Sequence, residues 1–473
     1  MDAGAIEYKL YKTRFAGLFG IFVLSLTSQM AWSWLGPIAN DVSQDFGFTL
    51  DQINWLSNII AWLHIPFTVA VPMMVQRYGI RRCCDVGALG LLFSAWLRYA
   101  GTKTSSKQGS YALLIIGQTI SAVPQTIYQV LGTKYSETWF DSGGRTMSTA
   151  ILSLANPLSG VLGQLLSPIA KDPRTSIMIL TIISTVASPL ALAVGNSPPT
   201  PPTYAASVSQ QSNESIFSFA RSLVKHDPSR TSMSISERRD FLSLLLIFGA
   251  FVGVTNTFSI LSNQFLAPVG YSSLISGALG ATLLGSGIIA SLASAPLYDR
   301  IFTRHLGLSI QISCPLVAGA WIGLIFAVKP HNIGALFPLM AVIGSISVTL
   351  LPITLELAVE LTRNAESSSA FLWLFGNLFT CIFILVESAL RAPTSTMPPL
   401  NMKHALIFQA AVVASVVPFS IFFKGKQARR ERDEAEAKKA VLALAIVGME
   451  VEQKEHENEA GNAATPEDKE ALP

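Results

Sequence analysis

Two carboxylates, Glu356 and Glu360, stand one helical turn apart in a long apolar run. That spacing puts both on one helical face. Glu360 is close to Arg363 and is expected at the end of the run, paired. Glu356 lies deeper. There a carboxylate meets a cation, carries a proton, or is a buried group bonded to a facing segment. Trp32 and Trp34 fall in the first apolar run. An indole face attracts a desolvated cation by about 0.5–2 kcal/mol; Trp34 also suits an interfacial belt. Gln118, Gln125 and Gln129 share a helical face, and Gln125 is the strongest cavity candidate. Asn156 precedes Pro157, which frees a carbonyl and kinks its helix. Asn256, Asn263, Gln264 and Asn377 complete a set of neutral polar groups in apolar surroundings. Such groups bind and orient. No nucleophile–base arrangement, metal cluster or nucleotide loop accompanies them, so neither an enzyme nor a cofactor is expected. His64, Cys83, Cys84, Cys314 and Cys381 read as packing residues, and Glu387 with Arg391 as a helix pair. Arg98 is expected to snorkel.

The elements that position these groups follow from hydropathy. Of 473 residues, 50% are hydrophobic and 13% charged. Soluble domains carry about twice that charged fraction. A helix needs about 20 mostly apolar residues to cross a bilayer. Twelve suitable runs occur, near 15–35, 53–75, 86–100, 111–132, 147–169 and 177–194, then 241–266, 274–297, 306–328, 333–361, 370–390 and 405–423. The expected fold class is an all-α membrane protein with twelve transmembrane helices in two six-helix bundles. Residues 1–14 form an N-terminal segment, 15–194 and 241–423 the bundles, 195–240 a Pro- and Ser-rich linker, and 424–473 a tail. Lys and Arg gather in the segments on one side, which predicts cytoplasmic termini and linker. The sequon at Asn213 then stays unglycosylated. The first run is too long for a cleavable leader and follows Lys9, Lys12 and Arg14.

Two short loops repeat between the halves: Gln76-Arg77-Tyr78-Gly79-Ile80-Arg81-Arg82 and Asp299-Arg300-Ile301-Phe302-Thr303-Arg304. Both resemble the Asp-Arg-x-Gly-x-Arg loop of the major facilitator superfamily, which implies gating roles for Arg77, Arg81, Asp299 and Arg300. Gln76 replaces the usual acid. Trp32, the run Gln52 to Ser57, Pro66-Phe67, Gly117-Gln118, Gln125, Trp139-Phe140, Asn156-Pro157, Ser167-Pro168, Asn263-Gln264 and Glu356 to Glu360 extend the likeness. In order along residues 8–425, they resemble the solute carrier 49 family of feline leukaemia virus subgroup C receptor-related transporters, nearer its orphan branch. The resemblance implies an alternating-access secondary transporter of a small organic cation or zwitterion, choline-like. Trp32 would hold the cationic head and Glu356 supply negative charge. Gln125, Asn156, Asn263, Gln264 and Asn377 would meet polar atoms. Pro157 stands where choline-carrying relatives have Gln, and no seventh-helix cage aromatic is evident. A proton-coupled carrier of a vitamin-like solute, or a non-transporting receptor or sensor, is the alternative. The expected partners are a small-molecule substrate and the lipid bilayer, with no nucleic acid, and the expected state is monomeric. The plasma membrane is the first expectation for location, a vacuolar or lysosomal membrane the second.

Overall fold

A computed structural model of the chain describes residues 9–200, 233–300, 306–362 and 365–423, of which 142, 143, 146, 295–300, 365 and 366 by their backbone only. Among the described residues every regular element is helical. α1 spans Thr13–Ser33, the short α2 Ala39–Phe46, α3 Leu50–Lys103 and α4 Lys107–Trp139. α5 (Ser142–Ser153), α6 (Ala155–Leu166) and α7 (Pro173–Ala187) complete the first half. The second half holds α8 (Ile235–Leu266), α9 (Ser273–Arg300), α10 (Leu306–Ala327), α11 (Ile333–Thr362), α12 (Ala365–Ala389) and α13 (Lys403–Ile421).

Ten of these helical segments are long and apolar enough to cross a membrane. One of them, α3, has 54 residues, about 80 Å if straight and far beyond a hydrocarbon core. It folds back at Gly79, whose φ of 81° is closed to side-chain-bearing residues. Its two ends meet the start of α4: the Tyr111 hydroxyl donates to the Gln52 carbonyl at 3.3 Å, and Gly101 packs against Ser110 and Leu114. α3 therefore crosses twice. The 33-residue α4 supplies one more, which makes twelve crossings. An even number returns the chain to its starting side. The side holding Lys12 and the end of α13 is termed the near face, the opposite side the far face.

Local chemistry sets the helix ends. Thr49 with Gln52, and Ser234 with Glu237, form reciprocal capping boxes that start α3 and α8. The Pro157 kink is present as a break at Leu154 between α5 and α6. Proline lacks the N–H that would bond the carbonyl four residues earlier, and its ring crowds that carbonyl, here that of Ser153.

The halves differ inside. The second half buries one continuous apolar cluster, from Phe241 to Phe423. The first half buries two, one around Ile21, Leu91 and Tyr128 and one around Trp34, Leu56 and Leu180. Buried polar groups accompany them, including Ser94, Arg98, Gln118 and Ser121. Arg98 does not snorkel: it is 4% exposed and donates to Gln118 Oε1 at 3.0 Å. Gln118 in turn donates to the Ala31 carbonyl. The guanidinium is thus turned into the bundle, and solvent is not its partner.

Candidate functional site

A belt of hydrogen bonds ties the two halves together at the far face. Its deepest tier centres on the Ser259 carbonyl of α8. Gln164 of α6 donates to it at 2.7 Å, and Gly36, just past α1, packs its Cα against the same oxygen. Gly277 and Gly280 of α9 press on Gln164, which only residues without a Cβ can do. The middle tier runs from the Asn40 amide to Asn263 Oδ1 at 3.3 Å. Asn263 Nδ2 donates to Ser273 Oγ, and that hydroxyl donates to Asp41 at 2.6 Å.

The outermost tier joins α3 to α8 and α12. The carboxamides of Asn54 and Gln264 meet at 2.6 Å, and Ser388 Oγ lies 2.7 Å from the Asn54 carboxamide. Arg391 donates to Gln264 Oε1 at 2.7 Å and to Asp51 Oδ1 at 3.0 Å. Asn54, Asn263 and Gln264 are all buried. The Gln164–Ser259, Asn40–Asn263, Ser273–Asp41, Asn54–Gln264, Ser388–Asn54 and Arg391–Asp51 bonds cross between halves and must break before the far face can part. The Asn263–Ser273 and Arg391–Gln264 bonds brace the second half from within.

Exposure tells the complementary story. Helices at the rim carry apolar stripes along their whole length. Val86, Leu89, Phe93 and Trp96 form one on α3, and Leu308, Ile312, Leu316 and Phe326 another on α10. Those stripes suit lipid. On α1 the exposed stripe is Phe15 and Phe19, and it fades through Phe22 and Leu26 to buried Met30. On α8 it is Ile235, Arg239 and Leu242, and it ends by Leu246. Towards the near face α4 exposes Thr133, and α11 exposes Pro352 and Glu356. α1 and α8 are thus exposed towards the near face and buried towards the far one, whereas α4 (Ala112, Ile116) and α11 (Pro338, Val342) are also exposed on their far halves. A lipid-facing helix has no reason to stop halfway; a crevice entered from one side does.

The candidate residues divide between these regions. Asn263 and Gln264 belong to the far-face belt. Trp32 is one helical turn before Gly36, half-buried, and packs across the divide on the apolar cluster of the second half. Its Nε1 is buried without a hydrogen-bond partner. Trp34, two residues on, points the opposite way and donates to Ser176 inside its own bundle at 3.0 Å. The belt reading of Trp34 is therefore replaced by a core role. Gln125 is buried on α4 and donates to Ser121 at 3.5 Å. Asn156 is half-buried beside the α5–α6 break. Asn377 is buried and donates to the Trp373 carbonyl at 2.9 Å. Asn256 donates to Thr380 at 3.4 Å.

The loop arginines hold their own bundle together. Arg81 donates to the carbonyls of Ala191, Leu192 and Val194 at 2.8–3.0 Å and pairs with Asp85 at 3.1 Å. It thereby satisfies the open carbonyls at the end of a helix, where a cation is favoured. Arg77 lies over the Tyr78 ring. The side chains of Asp299 and Arg300 lie outside the described residues. Arg81→Ala is expected to lower stability by about 1–3 kcal/mol. A falling melting temperature with far-face closure unchanged would mark an anchor; loss of closure at unchanged stability would mark a gate.

Glu387 does not pair with Arg391. It turns to α13, where Gln409 donates to it at 3.0 Å, while Arg391 reaches across to Asp51 and Gln264. Spacing alone missed this arrangement, along with Asn54, Gln164 and Ser388. One signal was available. The 39–52 stretch holds three acids and no cation, so Asp51 required a counter-ion from elsewhere.

Comparison with known proteins agrees with this architecture. The family model described as Major Facilitator Superfamily matches residues 21–384. Solute carrier family 49 member A3 of Xenopus tropicalis is 26% identical over 454 residues, covering 89% of each chain. The choline/ethanolamine transporter FLVCR2 of Homo sapiens is 22% identical over 409 residues, covering 82% of this chain and 74% of that protein. Among solved structures, a D-xylose–proton symporter superposes with a TM-score of 0.65 at 12% identity, over 87% of this chain and 99% of that one.

Proposed function

The chain belongs to the Major Facilitator Superfamily, and from that premise we propose that it carries a small organic cation or zwitterion by alternating access. The observation that carries the reading is Trp32. It is an indole from the first half, seated on the second half, one turn beneath a sealed far face, with its N–H unpaired. A bound cation over such a face gains cation–π attraction without displacing an existing partner. The relatives named choline/ethanolamine transporters make a quaternary or primary ammonium the chemistry of choice. Glu356, exposed on α11, would add negative charge on the path from the near face. Gln125, Asn156 and Asn377 would meet polar atoms. Asn263 and Gln264 would act in closure and not in direct binding. The near face, with Lys12, Arg14, Arg77, Arg81 and Arg82, is read as cytoplasmic, and the plasma membrane as the site of residence.

Uptake of labelled choline and ethanolamine into proteoliposomes tests this. Trp32→Ala is expected to raise KM by about 2- to 30-fold, the equivalent of about 0.5–2 kcal/mol, and Trp32→Phe by less. Unaltered kinetics in the alanine variant would remove Trp32 from the site, and no uptake of either amine by the parent protein would remove the substrate class.

A further inference from the structure

We propose that Glu387 is a proton-binding site and holds its proton while the far face is closed. Glu387 is 0% exposed on α12, within a membrane-spanning segment. Its one described partner is Gln409 of α13, itself 0% exposed. Glu387 Oε1 and Gln409 Oε1 are both buried with no hydrogen-bond partner. Two neighbouring acceptors without a donor is a mismatch that one proton resolves. As a carboxylic acid, Glu387 gains an O–H able to donate to the Gln409 carbonyl oxygen. Gln409 Nε2 continues to donate to Glu387 Oε2, and both side chains are then satisfied. An ionised carboxylate here would stand without a cation, the arrangement membrane interiors avoid.

The surroundings supply no counter-charge. The charged groups on the far-face halves of the elements packed on α12 are few. α13 offers Lys403 and His404, both exposed at its start. α3 offers Asp51 on its first crossing, and on its second the exposed Lys103 and Arg98, which is turned to Gln118 of α4. The outer halves of α8 and α11 carry no ionisable side chain beyond the buried apolar and carboxamide groups. Arg391, one turn beyond Glu387, is committed to Asp51 and Gln264, and none of the described ion pairs includes Glu387.

That geometry couples the proton to the belt; this coupling rests on the alternating-access reading above. Arg391 keeps its Nε buried and unpartnered. Loss of the Glu387 proton to water leaves an anion four residues before that guanidinium, which stands just past the end of α12 and is attracted back towards it. The arginine is then drawn from Gln264 and Asp51, and Ser388, adjacent in sequence, moves with the same turn of helix. Protonation favours the closed far face and deprotonation favours its opening. Acid therefore closes it and alkali opens it.

Infrared spectroscopy on the purified full-length protein tests the site directly. The carbonyl stretch of a protonated carboxylic acid is expected at neutral pH, shifting in D2O and absent from Glu387→Gln. The glutamine variant is expected to fold, since its carboxamide supplies the donor the acid supplied. A spectrum unchanged by the substitution would overturn the proposal. The second measurement uses Asn58→Cys, at a buried inter-half position, labelled from the far side by an impermeant maleimide. Labelling is expected to rise from pH 6 to pH 8 (by up to about 100-fold if one proton controls opening across the whole range) and to lose that dependence when Glu387→Gln is added. Persisting pH dependence in the double variant would overturn the coupling. Absence of choline or ethanolamine uptake alongside a clear carboxylic-acid band would count against the substrate reading alone.

Discussion

Arg391→Ala is expected to open the far face. Arg391 is the single group that bonds Gln264 and Asp51 at once, and it links α12 to both α3 and α8. The two bonds contribute unequally. Asp51 is 65% exposed, and an exposed ion pair is worth about 0–1 kcal/mol. Gln264 is 2% exposed, and a buried acceptor deprived of its donor costs about 1–3 kcal/mol. The Gln264 bond lies within the second half and acts on closure by holding that carboxamide against Asn54 of α3, so most of the effect runs through the Asn54–Gln264 contact. A sum near 1.4–2.8 kcal/mol shifts the closed-to-open ratio by about 10- to 100-fold. The measurement is maleimide labelling of Asn58→Cys from the far side, with and without Arg391→Ala. Equal labelling would mean that the belt is decoration, with closure held by packing alone. Asp51→Asn should give a much smaller rise, which separates the ion pair from the buried bond.

Gly36→Val is expected to act more severely and by a different cause. A Cβ at Gly36 would collide with the Ser259 carbonyl oxygen and lie 2.9 Å from that of Ile260. Both obstacles are backbone in the middle of a helix and cannot swing away. Overpacking of this kind costs about 1–3 kcal/mol or more. The contact joins one half to the other, so the penalty falls on the far-closed state and spares the fold of either bundle. The variant should express, keep its helical content and remain open at the far face, with uptake reduced at least tenfold. Normal transport by a well-folded Gly36→Val protein would show that this approach is not required for the cycle. Gly277→Val, against the Gln164 carbonyl, is the matching substitution on the α6–α9 contact.

The sequence by itself determined the class, the twelve crossings, the two-bundle division and the break before Pro157. These are consequences of local physics. A polar backbone in hydrocarbon must close its own hydrogen bonds, so each apolar run of sufficient length becomes a helix. The sequence gathers its Lys and Arg in the segments of one side. It also picked out Trp32, because an indole in that run is conspicuous without any neighbour. What the tertiary structure alone decided was the partner of each polar side chain. Glu387 and Arg391 share a helical face in the sequence, yet one turns to α13 and the other crosses to α3 and α8. Asn263 and Gln264 read as binding groups, but the fold commits them to holding the halves together. Trp32 and Trp34 differ by two residues and face opposite bundles. Helical periodicity specifies which residues share a side; it carries no information about which helix, more than a hundred residues away, that side will meet.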